Sequence, residues 1–502
     1  MNTTSGMHTQ AQPARATTTA DVLRSPRLFT REYLAGIITS LALIPEVISF
    51  SVISGVDPKA ALVASIVLGL IMSVFGGRPA MVTAAAGSVA LVIGPMVRAH
   101  GVEYILPTVI LAGFVQIAFG AAGLAKMMRY VPRSVMIGFV NALGILIFCA
   151  QVPHVVDKPM VVYALFVLTL LIVHFFPRVT KSVPSPLVAI VVCTAIVMLG
   201  GFAVPNVGGA GGMAPGLPSM THMLVPLSFE TLQIVWPTAL SVAFVGLLES
   251  LLTAKLVDDL TDSRSNKSRE SWALGLANIG AGYYGGIAGC AMIGQTVVNV
   301  QLGGGRSRVS TVAAALVLLL LVTSLSSVMA QIPMVALAAV MMIVALKAVN
   351  WHSLQPATLK RMPWSETLVM VVSVVITVST GNLALGVFGG VILAMALFAR
   401  RVASVIDVVR TPSADGGSVR YEIDGPLFFG SSNDLVERFS YAQDPTTVVV
   451  DFTRSQIWDA SSVATLDAIE TKYRQHGAAV SFTGLDGRSS AFHGRLTGAL
   501  ES

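Results

Sequence analysis

Long apolar segments alternate with short polar loops along the chain between residues 33 and 401. Twelve of these segments approach the ~20 residues that a helix needs to cross the hydrocarbon core of a bilayer. Two further segments, at about 84–97 and 291–302, are too short or too polar to span and are predicted to be half-helices. The pattern therefore predicts fourteen membrane segments. The twelve full-length segments are placed at about 33–53, 58–76, 104–125, 133–152, 160–176, 185–203, 234–257, 272–287, 309–329, 333–350, 364–380 and 383–401.

Basic residues occupy every second loop between these segments. Arg78 follows the second segment, and Arg178 and Lys181 follow the sixth, whereas the intervening loops are almost free of Lys and Arg, with Arg98 and Lys158 as the exceptions. Cytoplasmic loops carry an excess of Lys and Arg. The alternation therefore predicts that both termini are cytoplasmic, and a wrong segment count would not reproduce it.

A loop rich in Gly and Pro, residues 200–220, divides the fourteen segments into two sets of seven. Because seven is an odd number, the second set must run inverted relative to the first. A half-helix stands third in each set, beginning near Ala84 and Ala291, as an inverted repeat requires. We assign repeat one to residues 31–203 and repeat two to residues 230–403.

The two ends of the chain differ from this membrane region. Residues 1–30 are polar and basic, lack the apolar core of a signal peptide, and are predicted to form a disordered cytoplasmic tail. After a linker at 404–418, residues 419–502 are predicted to form a small α/β domain with mostly parallel strands. Its predicted elements are strands at 419–423, 446–452 and 479–483 and helices at 432–441 and 461–475.

The composition excludes several function classes. Only 12% of the residues are charged, against about 25% in soluble domains, and the mean hydropathy is +0.76. The basic residues behind the net charge of +6 lie in the short loops between apolar segments, so this charge does not indicate a nucleic-acid partner. The 3 cysteines lack zinc-ligand spacing. We expect no catalytic residues, no metal site and no cofactor, and hence no enzyme.

Two carboxylates inside apolar segments are the main candidates for function. Glu249 lies in the eighth segment with Thr253 one turn later, and Glu46 lies in the first segment with Phe50 one turn later, so each pair shares a helix face. Carboxylates within a membrane are costly and usually functional. The alternative interpretation is a structural hydrogen bond to a neighbouring helix.

Several motifs resemble the SulP family of anion transporters, in this case a prokaryotic member. LIPEVISFSVISGV in the first segment is similar to the family's first-helix motif, and GLLESLLTAKLVDDLT, GLANIGAGYYGGIAG and QTVVNVQLGGGRSR are similar to its helix-eight to helix-ten signature. DFTRSQIWDASSVATLDAIE resembles the STAS domain that follows in this family. The resemblance covers about residues 30–490. It implies an all-α polytopic membrane domain of 14 segments, divided into a core and a gate that move as an elevator, followed by a cytoplasmic STAS domain.

The resemblance also implies an anion site between the two half-helices. In many members an Arg stands where this chain has Gln295, and the more common Gln of the first helix is replaced by Glu46. Members that use sodium have a hydroxyl near the position of Ile293, which offers no oxygen. Proton coupling through Glu249 or Glu46 is therefore favoured over sodium, with Thr253 as a further ion-coupling candidate. The predicted substrate-binding residues are Glu46, Phe50, Ala85, Ala86, Gly87, Ser88, Met292, Ile293, Gly294, Gln295 and Thr296.

These observations predict a secondary active anion transporter of the inner membrane. The expected substrate is a dicarboxylate such as fumarate, or bicarbonate or sulfate, and the expected partners are this anion, protons, membrane lipid and a second copy in a homodimer, without nucleic acid. Sodium coupling, a passive channel or exchanger, a nucleobase carrier and a membrane sensor remain alternatives. Because Ala460 follows Asp459 where switchable STAS domains have a Ser, a phosphorylation switch at that position is not expected.

Overall fold

The computed structural model describes residues 18–180, 183–211, 219–226, 228–403 and 406–497. The chain forms two compact units, one ending at Gly390 and the other beginning at Val391. Residues 1–17 of the predicted tail, the basic Lys181, residues 404–405 of the predicted linker and residues 498–502 lie outside the described part.

The first half of the membrane unit consists of helices joined by short turns. Helix α2 begins with Pro26, which suits a first turn that needs no N–H donor. Helix α3 follows Asp57, whose carboxylate accepts hydrogen bonds from the N–H groups of Lys59 and Ala60. Each of the first seven predicted segments coincides with a helix. The helices are α1 (Thr19–Arg24), α2 (Pro26–Ser54), α3 (Pro58–Phe75), α4 (Gly87–His100), α5 (Ile105–Ala121), α6 (Arg133–Gln151), α7 (Met160–Phe175), α8 (Ser185–Gly200) and α9 (Val207–Ala210).

The second half repeats this arrangement, and helices also occupy the seven segments predicted there. Across the described residues, seven helices are long and apolar enough to cross a membrane, and four shorter helices are apolar as well. Helix α12 continues directly as a π-helix, Val298–Leu302. The helices are α10 (Phe229–Thr261), α11 (Lys267–Gly282), α12 (Ile293–Val297), α13 (Arg308–Ser324), α14 (Ser326–Ala330), α15 (Met334–Ala348), α16 (Trp351–Leu354), α17 (Pro356–Arg361), α18 (Trp364–Thr380) and α19 (Leu383–Ala403).

Two short strands precede the half-helices, where the sequence predicted helix from Ala84 and Ala291 onward. Strand β1 (Thr83–Ala85) pairs antiparallel with β2 (Gly289–Ala291), with Ala84 opposite Cys290. Small side chains permit this close crossing; a Cβ on Gly289 would collide with the carbonyl oxygen of Ala84. The predicted half-helices therefore start later than expected, at Gly87 and Ile293.

Residues 19–24 and 26–30 are helical, which differs from the disordered tail predicted for this region. Thr18 and Asp21 form a capping box at the start of α1, and Val22 is fully buried. A capping box satisfies two backbone donors at a helix start, and burial of an apolar side chain adds to the stability of so short a helix. The first long helix then begins at Pro26, well before the predicted start near residue 33.

The long helices of the membrane unit pack as two groups. In the first group, α11 packs against α5 and α3, and α13 packs against α2 and α3. In the second group, α6 packs against α18 and α15, and α7 packs against α8. Helices α2 and α10 and both half-helices belong to the first group. This division has the form of the predicted core and gate.

Buried carboxylates fix two loops of the first group by accepting backbone N–H groups. Glu270 accepts hydrogen bonds from the N–H groups of Gly77 (2.7 Å) and Arg78 (3.1 Å) after α3. Glu32 accepts one from the N–H group of Arg306 (2.6 Å) after the π-helix. Both carboxylates are fully buried. Such charge-assisted bonds are stronger than neutral ones, so these loops are tied to the helices around them.

The second unit contains the predicted small α/β domain. Its four strands are in the order β3-β4-β5-β6; β4, β5 and β6 are parallel, and β3 is antiparallel to β4. Strand β3 falls inside the segment predicted as a linker, and helix α22 was not predicted. The elements are β3 (Asp407–Pro412), β4 (Ser418–Leu427), α20 (Phe429–Glu437), β5 (Thr447–Ile457), α21 (Ala460–Gln475), β6 (Ala479–Thr483) and α22 (Gly487–Leu496).

The loop before α21 is held by Asp459. Its carboxylate accepts hydrogen bonds from the N–H group of Ser462 (3.0 Å) and the N–H group of Phe429 (2.6 Å). Asp459 is therefore the N-cap of α21 and also fixes the start of α20. Ala460, the first residue of α21, has no hydroxyl to modify.

Candidate functional site

A cavity of about 970 Å³ lies between the two helix groups. The first group contributes residues of α2, α4, α10 and α12, and the second contributes residues of α6 and α15 and the start of α8. The lining residues Pro177, Leu302 and Lys347 are exposed and stand beside the loops that carry Arg178 and Arg306. The cavity therefore opens toward the side of the basic loops.

Both half-helices begin on this cavity. Ala86 and Met292 stand at the N-caps of α4 and α12, and neither supplies a side-chain cap for the first-turn N–H groups. Gly87 and Ile293, the first residues of these helices, line the cavity. Uncapped N–H groups together with the positive end of the helix dipole attract anions. Of the predicted substrate-binding residues, those on the cavity are Glu46, Phe50, Ala86, Gly87, Ser88, Met292, Ile293, Gly294 and Gln295.

The two half-helix starts differ in the space beside them. A Cβ placed on Gly87 would lie 2.6 Å from Cε1 of Phe50, whose ring is almost completely buried against this turn. A Cβ placed on Gly294 would meet no heavy atom within 4 Å. The open space of the cavity is therefore at Gly294, whereas the ring of Phe50 fills the space beside Gly87.

Glu249 connects helix α10 to the first half-helix. Ser88 Oγ donates a hydrogen bond to Glu249 Oε2, and Cys290 Sγ donates a second at 3.1 Å to the same oxygen. The Glu249 residue is only 8% exposed, and it lines the cavity. The carboxylate therefore meets both β2 and the first turn of α4.

Glu46 connects helix α2 to the second half-helix. The Gln295 side chain lies beside it, and both residues line the cavity. Glu46 is partly buried and lines the cavity next to Pro45, which interrupts the hydrogen bonding of α2 because it lacks an N–H group. The neutral amide at position 295 thus contacts the carboxylate that replaces the more common Gln.

The structure does not place three predicted site residues on the cavity. The N–H group of Ala85 donates to Ser65 Oγ at 3.1 Å, so this amide is occupied within the strand pair. Thr296 Oγ1 accepts from the N–H group of Val82 at 3.0 Å. Both positions therefore hold the half-helices in place and are not open to a ligand.

Thr253 is the third of these residues. Its Oγ1 lies 2.8 Å from the carbonyl oxygen of Glu249 and 3.2 Å from that of Ala291, within donor distance of both. The hydroxyl therefore ties α10 to β2. In the described part of the chain no three His, Cys, Asp or Glu side chains come together as a metal site.

Polar side chains that the sequence did not single out for the site position its strands. Asn278 Oδ1 accepts from the N–H group of Gly289 at 2.7 Å, and its Nδ2 donates to Gln116 Oε1 at 2.8 Å. Ser250 Oγ accepts from the N–H group of Ala291 at 2.9 Å. The signal for Asn278 and Gln116 was their polarity inside apolar segments. No spacing rule indicated which backbone group each one meets.

A model of the Sulfate permease family matches residues 29–160 and 154–373. The chain belongs to the sulfate permease family. This SulP chain also matches a model of the STAS domain at residues 406–491. The predicted family and the predicted helical membrane domain followed by a STAS domain are thereby confirmed. Because members of the family are transporters, the expectation that the chain is no enzyme is confirmed as well.

Curated relatives of this SulP chain match nearly its full length. YbaR of Bacillus subtilis is 45% identical over 462 residues, which cover 92% of this chain and 95% of YbaR. The bicarbonate transporter BicA of Synechocystis sp. is 27% identical over 480 residues, covering 86% of this chain and 84% of BicA.

Solved structures share the fold. The transmembrane domain of a cyanobacterium bicarbonate transporter BicA matches with a TM-score of 0.65 and 26% identity, over 72% of this chain and 98% of that one. Murine Slc26a9, an anion transporter solved in an inward-facing state, matches with a TM-score of 0.81 over 93% of this chain and 87% of its own. Because the two sequences are only 16% identical, the likeness to Slc26a9 concerns the fold alone.

Proposed function

We propose that this SulP chain is a secondary active anion carrier of the inner membrane, coupled to protons. The observation that carries the proposal is Glu249, a carboxylate that lines the cavity between the helix groups and accepts a hydrogen bond from Ser88 on the first half-helix. Carboxylates at such depth mark ion and proton pathways. Protonation of Glu249 or Glu46 offsets the charge of the anion.

The proposed substrate is a small anion held at the half-helix starts. Family relatives named as bicarbonate transporters support bicarbonate as one candidate, and sulfate and a dicarboxylate such as fumarate are the others. The apolar part of the lining, which includes Phe139, Leu143, Met292 and Val340, favours an anion with a carbon skeleton. We therefore place the dicarboxylate first.

Transport is proposed to follow an elevator movement of the first helix group against the second. The cavity between the groups and the attachment of both half-helices to the first group support this movement. The proposal also includes fourteen membrane segments in 31–403, cytoplasmic termini on the side of the basic loops, and a homodimer. Its membrane repeats are residues 31–203 and 230–403, and its STAS domain includes strand β3 from Asp407 onward.

Sodium coupling and a passive channel or exchanger are the alternatives. Sodium prefers hard oxygen ligands. Glu249 Oε2 instead accepts a hydrogen bond from Cys290 Sγ, a soft sulfur atom that would not bind sodium. The Thr253 hydroxyl lies within donor distance of two backbone carbonyl oxygens. These contacts favour the proton.

The test is uptake of radiolabelled fumarate, sulfate and bicarbonate into proteoliposomes. We expect accumulation that follows an inward proton gradient, does not need sodium and is lowered by Glu249→Gln. Glu366→Gln, at an exposed carboxylate in the first turn of α18, is the matched control and keeps the full accumulation. Flux that ignores the gradient and the Glu249 variant would show a channel or exchanger, and a need for sodium would refute proton coupling.

A further inference from the structure

The two cavity carboxylates are related to each other through the inverted repeat. Glu46 lies on the long helix that opens repeat one, and Glu249 lies on the long helix that opens repeat two. Each contacts the half-helix of the opposite repeat, since Glu46 meets Gln295 and Glu249 meets Ser88. Each half-helix therefore has one carboxylate beside its first turns.

The ionisable side chains of the cavity wall near the half-helices are acids. Glu46 and Glu249 are the carboxylates among the described lining residues, and Lys347, exposed at the open end, is the cation among them. Gln295 is polar but carries no charge. An anion that reaches the half-helices thus meets two ionisable acids and no adjacent cationic side chain within the described part of the chain.

Other charged groups on the surrounding elements are engaged elsewhere. On the elements that pack against α2 and α10, Cys290 is the titratable side chain in the described region that contacts one of the two acids, and Lys347 lines the open end of the same cavity. Arg98 on α4 donates to the carbonyl oxygen of Ile53, and Arg308 on α13 donates to that of Ser73. The remaining charged side chains of these elements, such as Glu270, lie at helix ends.

We propose that the site takes a divalent anion together with two protons, one on Glu46 and one on Glu249. Two like charges facing a dianion in a low-dielectric cavity repel it strongly. Protonation of both acids removes this repulsion, and the half-helix N–H groups then hold the dianion. The inference rests on the proposed proton-coupled transport and names its substrate class and stoichiometry.

The balance of the step is electroneutral. Two protons and the dianion bind from the outer side, the loaded site moves, and all three are released at the side of the basic loops. The two carboxylates are then ionised again, and the empty site returns. The charges of two protons and one dianion cancel, so the membrane potential does not drive the cycle.

The experiment measures equilibrium accumulation by the full-length protein in proteoliposomes, with fumarate and sulfate as dianions and bicarbonate as the monoanion. At zero membrane potential and a gradient of one pH unit, each coupled proton contributes about a factor of ten, so we expect about 100-fold accumulation of a dianion. An imposed potential without a pH gradient should give no accumulation. Three results would overturn the inference while leaving proton coupling intact. They are an accumulation of only about tenfold, an accumulation driven by the membrane potential alone, and a carrier that concentrates bicarbonate but neither dianion. Absence of any proton-driven accumulation would instead refute the proposed function.

Variants assign the two protons. Glu46→Gln and Glu249→Gln should each lower the accumulation from about 100-fold to about tenfold and make it sensitive to potential, because one coupled proton is lost. If Glu46→Gln retains 100-fold accumulation, Glu46 is not a proton site. The wild-type measurement stands by itself if a variant fails to fold.

Discussion

Ser88 Oγ donates a hydrogen bond to Glu249 Oε2, so the first turn of helix α4 is joined to a carboxylate of helix α10. The two residues are 161 positions apart in the chain, and they lie in the two different repeats proposed above. The first turn of α4 is thus held in position by a side chain from the other half of the membrane unit. The carboxylate and the half-helix must move together if the contact is kept during transport.

Removal of the Ser88 hydroxyl tests this contact. A hydrogen bond to a charged group contributes about 1.5–3 kcal/mol, so Ser88→Ala should lower proton-driven uptake by roughly tenfold or more. Ser373→Ala is the matched control, because Ser373 Oγ bonds the carbonyl oxygen of Val369 within its own helix, away from the cavity. Equal uptake by the two variants would show that Ser88 does not position Glu249.

The two cavity glycines should respond differently to a methyl group. In Gly87→Ala the new Cβ would lie 2.6 Å from Cε1 of Phe50, an overpacking that costs about 1–3 kcal/mol. Gly294→Ala meets no heavy atom within 4 Å and should keep the wild-type melting temperature. Thermal unfolding in detergent compares the two variants, and Phe50→Leu should restore the stability of Gly87→Ala. A stable Gly87→Ala protein would mean that the ring moves freely.

Most of the fold could be predicted from hydropathy, because each long apolar segment of the sequence forms a helix. The strands β1 and β2 could not, since three residues such as Thr83–Ala85 carry no periodicity and pair only through a tertiary contact. Ala85 lies 204 residues from its partner Gly289. The helix at Thr19–Arg24 was missed for a similar reason. Its stability depends on burial of Val22 against the rest of the protein.

The candidate site could be predicted in its residue types but not in its contacts. The carboxylates Glu46 and Glu249 were conspicuous because charge inside apolar segments is rare. Thr253 and Thr296 shared this polarity, yet their hydroxyls are engaged with backbone groups of the strand pair. Whether a hydroxyl faces a ligand or a carbonyl oxygen depends on side-chain direction in three dimensions, which one sequence does not encode locally.

Asn278 should be needed to hold strand β2 in place. Asn278→Ala removes the acceptor of the Gly289 N–H group and the donor to Gln116, and an orphaned buried polar group costs about 1–3 kcal/mol. We expect a lower melting temperature and lower uptake per folded molecule. Asn141→Ala, which breaks a contact between α6 and Ser353, should lower stability while sparing uptake per folded molecule. Unchanged uptake in Asn278→Ala would show that β2 keeps its position without this side chain.

The STAS domain should lose stability in acid through Asp444. Burial raises the pKa of this fully buried carboxyl, but hydrogen bonds from Tyr421, Tyr473 and Arg410 outweigh that effect and leave the pKa below its usual value. The stabilisation is therefore complete above the unfolded pKa of about 3.9 and is lost as pH falls through the lower folded value.

Hydrogen exchange of the full-length protein, read from STAS peptides, measures this effect. Asp444→Asn should exchange faster than wild type near β3 at pH 7, and the difference should shrink below about pH 4, where the wild-type carboxylate also begins to gain a proton. Glu437→Gln, at an exposed carboxylate of α20, should match wild type at both pH values. A difference that is constant with pH would assign the effect of Asp444 to packing.

A cation at position 295 should replace one of the two proposed protons. In Gln295→Arg the fixed charge would stand beside Glu46, in the place of the wild-type amide, and would neutralise that carboxylate without a proton. Accumulation of a dianion at a gradient of one pH unit should then fall from about 100-fold to about tenfold and become sensitive to membrane potential. Gln295→Met has a similar size and no charge, so it should transport more slowly but keep the 100-fold ratio. If Gln295→Arg also keeps that ratio, Glu46 carries no transported proton, and the second proton must bind elsewhere in the cavity.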